Sequence, residues 1–263
     1  MVSTHKFVDD KTISYSYSGD PTDVLQNALD IEAEETRKDK MIINGAKCHA
    51  ITFNFSQKNK IPRNLNLNGI PLENRDIIKL LGVIISNDLK WSENTQHICS
   101  KLNRKIYILS KLKKFGLGTE ELLVVWKTVL RPLTEYAAPL WHPGLNKGDS
   151  EKLESMQKRA IGIILGVKYV ENKKYYKFGN EIYNYEIILE KTGLVPLTDR
   201  RECLTNKFAL QFFNSERHKC LFQLKNKNTQ TRSNNMLQEG KYNTERYRKS
   251  SVQYMTRFLN NIL

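Results

Sequence analysis

The chain has 263 residues, of which 40% are hydrophobic, and it carries a formal net charge of +14 with a pI of about 9.5. This hydrophobic fraction is sufficient for a packed core, which excludes a wholly disordered chain. The excess of positive charge favours a polyanionic partner, with nucleic acid as the first candidate.

The charge is unevenly distributed along the sequence. Residues 1–46 carry a net charge of −4, whereas residues 47–263 carry +18. Carboxylates in the first part are suited to metal cations, and cations in the second part are suited to phosphates. Enzymes of phosphoryl transfer need both kinds of group.

Targeting and redox features predict a protein of the nucleus or cytoplasm that is not secreted. No apolar run reaches about 18 residues, so we expect no transmembrane helix and no membrane partner. Met1–Lys6 lacks the apolar core of a signal peptide. The four cysteines, at positions 48, 99, 203 and 220, have no close metal-ligand spacing and are expected to be free thiols.

The first motif is Phe7-Val8-Asp9-Asp10. Its flanks predict a β-hairpin with the aspartates at the turn. Adjacent carboxylates repel each other, and a divalent cation such as Mg²⁺, which prefers oxygen ligands, offsets that cost. The motif therefore predicts a metal site, although an Asp-Asp pair is also common in ordinary turns.

The next elements predict a mixed α and β fold. Asp20-Pro21 is predicted to open a helix with an apolar face of Val24, Leu25, Ala28, Leu29 and Ile31. Alternating apolar residues over 49–56 predict a strand with one buried face. The dense apolar run 77–85 contains Gly82, which is typical of a close backbone approach.

From Ser92 the hydrophobic period becomes helical, with a stripe of Ile98, Leu102, Ile106 and Leu109. Residues 97–115 contain no acid. The cations of this segment, between the stripe residues and just after them, are Lys101, Arg104, Lys105, Lys111, Lys113 and Lys114. We predict that these six contact phosphates, because a merely solubilising face usually mixes both signs of charge.

Further helices are predicted beyond Gly116, with a break at Arg131-Pro132. The helix over 149–165 is expected to bury Leu153, Met156, Ala160 and Ile163, and a helix from Thr198 is expected to group Leu204, Phe208 and Phe212. Residues 214–263 are polar and basic, which predicts a partly disordered tail with a short apolar element near its end.

Lysines are interleaved with aromatic residues over 168–185. The lysines include Lys173, Lys174 and Lys177. Cations beside aromatic rings are the usual means of binding single strands without reading their sequence. A loop packed on the helices by its tyrosines explains the same residues.

Six short segments occur in a characteristic order, with a weaker match at residues 254–260. They are His5–Thr12, Met41–Lys47, Lys79–Val83, Leu130–Trp141, Gln157–Ala160 and Arg200–Glu202. Together they resemble the C-terminal half of a reverse transcriptase from a non-LTR, LINE-like retrotransposon.

The resemblance implies an α+β fold: a partial polymerase palm over 1–91 built of β-hairpins and one helix, a mainly helical thumb-like region over 92–213, and the tail. It implies that Asp9 and Asp10 bind Mg²⁺ or Mn²⁺ in the complete polymerase. Leu81 and Gly82 would lie at the primer grip, and Lys47 would assist the leaving pyrophosphate. The implied partners are an RNA template and a DNA primer.

The sequence also departs from the family pattern. Glu35, Asp39 and Met41 stand where members usually carry Trp-x-x-x-Asn-x-Met. The family's first catalytic aspartate and its fingers lie upstream of the aspartate pair. We therefore expect a polymerase fragment that is inactive alone. The alternatives are a non-catalytic nucleic-acid-binding remnant and a fragment that folds only with the missing N-terminal half.

Overall fold

The computed structural model describes residues 2–17, 22–54, 64–170, 175–178, 181–225 and 236–263, with side chains described outside 168–182 and 219. The chain forms two compact units, Met1–Lys90 and Trp91–Leu263. The division lies one residue from the predicted boundary between 91 and 92. Helices and small sheets are both present, which confirms a mixed α and β composition.

The first unit begins with an antiparallel hairpin of β1, Val2–Phe7, and β2, Asp10–Tyr15. Helix α1, Thr22–Lys38, follows and buries Ala33 and Thr36. The predicted apolar face of α1 is only partly correct. Val24 is 41% exposed and Ile31 is 61% exposed. The buried side of the helix instead contains Ala33 and Thr36.

The rest of the first unit consists of short strands. They are β3, His49–Ala50; β4, Asn66–Leu67; β5, Ile70–Pro71; β6, Glu73–Asn74; β7, Ile77–Leu80; and β8, Val83–Ser86. Strands β3 and β6 pair in parallel, whereas β4 pairs with β5 and β7 with β8 in antiparallel fashion.

The predicted strand over 49–56 is mostly wrong. Only His49–Ala50 is extended and paired, and residues 51–54 are irregular. The pairing with β6 is two residues long, and without a longer partner the alternating pattern does not suffice to form a strand. Residues 55 and 56 lie outside the described ranges.

The second unit is mainly helical. Its helices are α2, Ser92–Lys114; α3, Thr119–Val125; α4, Ala138–Trp141; α5, Lys147–Leu165; α6, Tyr185–Thr192; α7, Leu197–Phe213; α8, Glu245–Arg248; and α9, Ser251–Asn260. Helices α2 and α5 pack against each other. The predicted stripe of α2 is confirmed, since Ile98, Leu102, Ile106 and Leu109 are all buried.

The predicted break at Arg131-Pro132 is also confirmed. Helix α3 continues into a π-helical turn, Trp126–Leu130, and then a 3₁₀ turn, Arg131–Thr134. Proline lacks the N–H of a regular helix and collides with the preceding turn. The regular α-helix therefore does not continue through this point, and Trp126, which begins the π-helical turn, is fully buried in the main apolar cluster.

The buried side of α5 differs from the prediction. Met156 and Ile163 are only partly buried, whereas Gln157 is fully buried. The Gln157 amide donates hydrogen bonds to the hydroxyl of Tyr185 at 3.0 Å and the carbonyl of Val195 at 2.9 Å. These bonds compensate the burial of its NH2 group, although its Oε1 has no hydrogen-bond partner among the described residues. Hydrophobic periodicity alone could not indicate such a contact.

Between α5 and α6 lies a three-stranded antiparallel sheet with the order β11-β10-β9. Its strands are β9, Lys168–Val170; β10, Tyr175–Phe178; and β11, Glu181–Asn184. This segment was predicted only as an alternation of lysine and tyrosine, so the sheet is an addition to the prediction.

The predicted tail belongs to the helical unit wherever it is described. Ala209 of α7 packs with Phe222, Leu237, Met255 and Leu259 into a second apolar cluster. The expectation of disorder is corrected for residues 214–225 and 236–263, because these scattered apolar residues suffice to cover one side of α7. Residues 226–235 lie outside the described ranges.

Candidate functional site

The aspartate pair lies at the tip of the β1–β2 hairpin. Asp9 is in the turn, and Asp10 opens β2 opposite Phe7. Both aspartates are exposed. Val8 precedes them with φ of 57°, a left-handed conformation that is strained for a β-branched residue. The turn therefore presents two adjacent carboxylates to solvent on a strained backbone.

The carboxylate that α1 brings to the hairpin is already paired. Glu32 accepts a hydrogen bond from the ammonium of Lys11 in β2, and this contact raises the pKa of Lys11. Glu32 is therefore neutralised by a cation of the hairpin itself.

Two carboxylate side chains fit a hard divalent cation by their chemistry. Within the part of the chain that is described, no group of three or more His, Cys, Asp or Glu residues comes together. Asp9 and Asp10 are thus two oxygen-bearing ligands, and a two-metal centre needs at least one further carboxylate from another segment.

Two other predicted site residues lie at turns of the first unit. Lys47 is exposed and ends a 3₁₀ turn, Gly45–Lys47. Leu81 and Gly82 form the turn between β7 and β8, with φ values of 46° and 87°. Two consecutive positive φ values are those of a tight type I′ hairpin, which makes Leu81-Gly82 a sharply bent tip.

Helix α2 presents the cationic face that the sequence predicted. Arg104, Lys105, Lys111 and Lys114 are exposed, whereas Lys101 is half-buried. No acidic residue in 97–115 offsets their charge. The inner side of α2 is fixed in the core, so these four side chains stand on a rigid support.

Lys113 has a different role from its neighbours. Its ammonium donates hydrogen bonds to the carbonyls of Ile163 and Ile164, each at 2.9 Å. These carbonyls belong to the last turn of α5, where helix carbonyls lack partners and a cation is favoured. Gly166, with φ of 76°, ends α5, and a Cβ there would lie 2.8 Å from the Lys113 nitrogen. Lys113 therefore caps α5, and we leave it out of the phosphate-facing set.

Replacing Lys113 by methionine is expected to lower the free energy of unfolding by about 1–2 kcal/mol, because two carbonyls lose a charged donor. Thermal melts compare it with Lys114→Met, a matched change on the exposed face that we expect to leave stability within about 0.5 kcal/mol. The dependence of nucleic-acid affinity on salt should change only in Lys114→Met. The reverse pattern would show that Lys113 faces the ligand.

The second predicted group of nucleic-acid contacts is only partly described. Lys173 and Lys174 lie outside the described residues. Lys177 is in β10, where its backbone pairs with Lys168 and Ile182. The proposal that these lysines hold a single strand stays a prediction.

Two of the segments that carry the family resemblance contact each other. Glu135 forms an ion pair with Arg131, with Nε and Oε1 3.0 Å apart, and accepts a hydrogen bond from Nε of Arg200 at 3.1 Å, so one carboxylate lies beside two guanidinium groups. This network was missed in the sequence, although Glu135 in one segment and Arg200 in the other carry opposite charges.

Arg201 makes the second link between these segments. It is fully buried, with its guanidinium 5.7 Å from the ring centre of Trp141 and its Nε 3.5 Å from Nδ1 of His142. Burial lowers the pKa of Arg201 to about 10. Burial and the Arg201 charge together lower the pKa of His142 to about 4, so its ring is neutral and accepts the Arg201 N–H. Arg201 thus joins the two segments inside the helical unit, with Nη1 and Nη2 of its guanidinium buried without a hydrogen-bond partner among the described residues.

Among the helices of the described ranges, none is long and apolar enough to cross a bilayer. No family model matches the chain. No solved structure matches it either.

The chain is similar to a curated protein of Drosophila melanogaster named probable RNA-directed DNA polymerase from transposon X-element. The two are 22% identical over 169 residues. The match covers 62% of this chain but 18% of that polymerase, so the chain spans less than a fifth of the length of this relative. The similarity is distant and concerns a limited part of the larger protein.

Proposed function

We propose that the chain is part of an RNA-directed DNA polymerase of a non-LTR retrotransposon, which acts on an RNA template and a DNA primer. The name of the Drosophila relative supports the polymerase class. The order of the six resembling segments supports the non-LTR type. In this proposal the first unit is part of the palm, and α2 belongs to the thumb.

The observation that carries the proposal is the pair of exposed carboxylates at the tip of the β1–β2 hairpin. Asp9 and Asp10 would hold Mg²⁺ or Mn²⁺, which supplies charge neutralisation for the attacking and leaving oxygens of nucleotidyl transfer. The strained turn fixes where the two carboxylates stand relative to each other.

Two further residues and one turn complete the proposed assignment. Lys47 would donate a proton or a positive charge to the leaving pyrophosphate. The tight turn at Leu81-Gly82 would contact the primer end, where a bent backbone with a glycine permits close approach.

The 263-residue chain alone is expected not to extend a DNA primer on an RNA template with Mg²⁺, because its hairpin supplies only two carboxylates. A longer polypeptide that adds an upstream carboxylate strand should extend it. Asp9→Asn in that longer polypeptide should lower the extension rate about 10³-fold or more.

Asp23→Asn is the matched control, since it removes an exposed carboxylate of α1 outside the hairpin and should leave the rate unchanged. Mg²⁺-dependent extension by the 263-residue chain would contradict the need for a further carboxylate. A normal rate for Asp9→Asn in the longer polypeptide would contradict the assignment of the hairpin.

A second candidate function is nucleic-acid binding without catalysis. It is favoured by the separate core of the helical unit, which supports the cationic face of α2 without residues of the first unit. This function predicts affinity that falls with salt but does not change with Mg²⁺ or with Asp9→Asn.

A further inference from the structure

Two aromatic side chains lie on the cationic face of α2. Tyr107 is 57% exposed, and Phe115, which follows the last residue of the helix, is 82% exposed. Such exposure leaves most of each ring in water, and contact between apolar surface and water is unfavourable. Single exposed apolar residues are common and need no explanation. What sets these two rings apart is the charge of the residues around them.

The surroundings of both rings are cationic. Tyr107 is three residues after Arg104 and four before Lys111, which places the three on one side of the helix. Phe115 is four residues after Lys111 and is continuous with the same side. Because 97–115 contains no acid, no carboxylate of this segment lies among the cations that flank the rings.

The spacing of the rings distinguishes between forms of nucleic acid. Eight residues separate Tyr107 from Phe115, which corresponds to about 12 Å along a helix. Stacked bases in a strand rise by about 3.4 Å. The two rings are therefore too far apart to enclose two neighbouring stacked bases, so each ring needs a separate base with a free face. Bases inside a duplex are stacked on both sides and have no free face.

We infer that Tyr107 and Phe115 stack on bases of an unpaired nucleic-acid strand whose phosphates contact Arg104, Lys111 and Lys114. The inference rests on the nucleic-acid partner of the proposed function and names its form. Stacking on aromatic rings beside backbone-holding cations binds single strands without sequence preference, because every base has a flat face.

The test measures the affinity of the full chain for three fluorescent ligands: a 12-nucleotide single-stranded RNA, an abasic strand of equal length, and a 12-base-pair RNA–DNA duplex. Tyr107→Ala with Phe115→Ala is expected to weaken binding of the single-stranded RNA about tenfold or more. Binding of the abasic strand and of the duplex should change less than twofold, since their phosphates still meet the cations.

Two control variants separate loss of the rings from other effects. Tyr107→Phe with Phe115→Tyr keeps both rings and should bind as the natural chain does. Tyr242→Ala removes a partly exposed ring outside α2 and should have no effect. A melting curve of each variant establishes that the helical unit is intact.

Each outcome decides the matter. An unchanged affinity for single-stranded RNA in the Ala variant, or an equal loss for the abasic strand, would overturn base stacking while leaving the proposed function in place. Failure of the natural chain to bind any of the three ligands would instead remove the nucleic-acid partner on which both proposals rest.

Discussion

Replacing Arg104, Lys105, Lys111 and Lys114 together by glutamine is expected to weaken nucleic-acid binding by two to three orders of magnitude at about 0.1 M salt. Each neutralised phosphate contributes about 0.7 to the salt slope for a single strand and about 0.9 for a duplex. Four lost contacts therefore lower the slope by about 3. Titrations of a labelled oligonucleotide at several salt concentrations measure both quantities.

The matched control removes four exposed cations from other parts of the helical unit: Lys147, Lys207, Arg217 and Lys241. Both variants lower the net charge by the same amount, so a long-range effect of total charge would weaken binding equally in the two. We expect the control to retain most of its affinity and nearly all of its salt slope. Equal losses would contradict a specific role for the face of α2.

Replacing Trp126 by alanine is expected to lower the free energy of unfolding of the helical unit by about 3–5 kcal/mol. Trp126 is fully buried in the main apolar cluster, which includes Leu102, Ile106 and Leu109 of α2. A loss of this size is a large part of the stability of an ordinary domain. We expect the melting temperature to fall by about 10 °C or more.

Trp126→Phe is the informative companion variant. It keeps one ring of the side chain and removes an indole N–H that has no acceptor among the described residues. Its cost should therefore be less than half that of alanine. A melting temperature for Trp126→Ala within about 1 °C of the natural chain would show that this cluster does not hold the unit together.

Sequence patterns predicted the elements that local chemistry determines. The stripe of α2 needed only a period of 3.6 residues, and the break at Arg131-Pro132 followed from the proline ring. The hairpin with its turn at Val8-Asp9 was indicated by short apolar runs around turn residues, and Gly82 in the apolar run 77–85 indicated a close backbone approach at the place where the second hairpin turns. In these cases the residues within one segment fix its structure.

Features that depend on contacts between distant segments could not be predicted. The buried NH2 group of Gln157 finds its acceptors on Tyr185 and Val195, and Lys113 turns inward because α5 ends beside it. Arg201 is buried against Trp141, 60 positions earlier in the sequence. The sequence does not distinguish a polar side chain that faces solvent from one that contacts a residue of a distant segment, because such a contact forms only in the folded chain.

The same limit applies to the candidate site. The sequence indicated Asp9 and Asp10, and the structure places both at an exposed hairpin tip. The exposure of Tyr107 and Phe115 is evident only from the structure, in which the other side of α2 is buried in the core. The roles proposed for these residues in metal binding and base stacking rest on their chemistry and their exposure.

In the function that we propose, this chain is one segment of a larger metal-dependent polymerase. Long-read sequencing of the native transcript, together with the mass of its protein product, decides whether it is. We predict an open frame that continues upstream and encodes an apolar strand bearing another carboxylate, in a product much larger than 30.7 kDa. A transcript and a product that both begin at Met1 would contradict the claim and leave nucleic-acid binding by the helical unit as the function to explain.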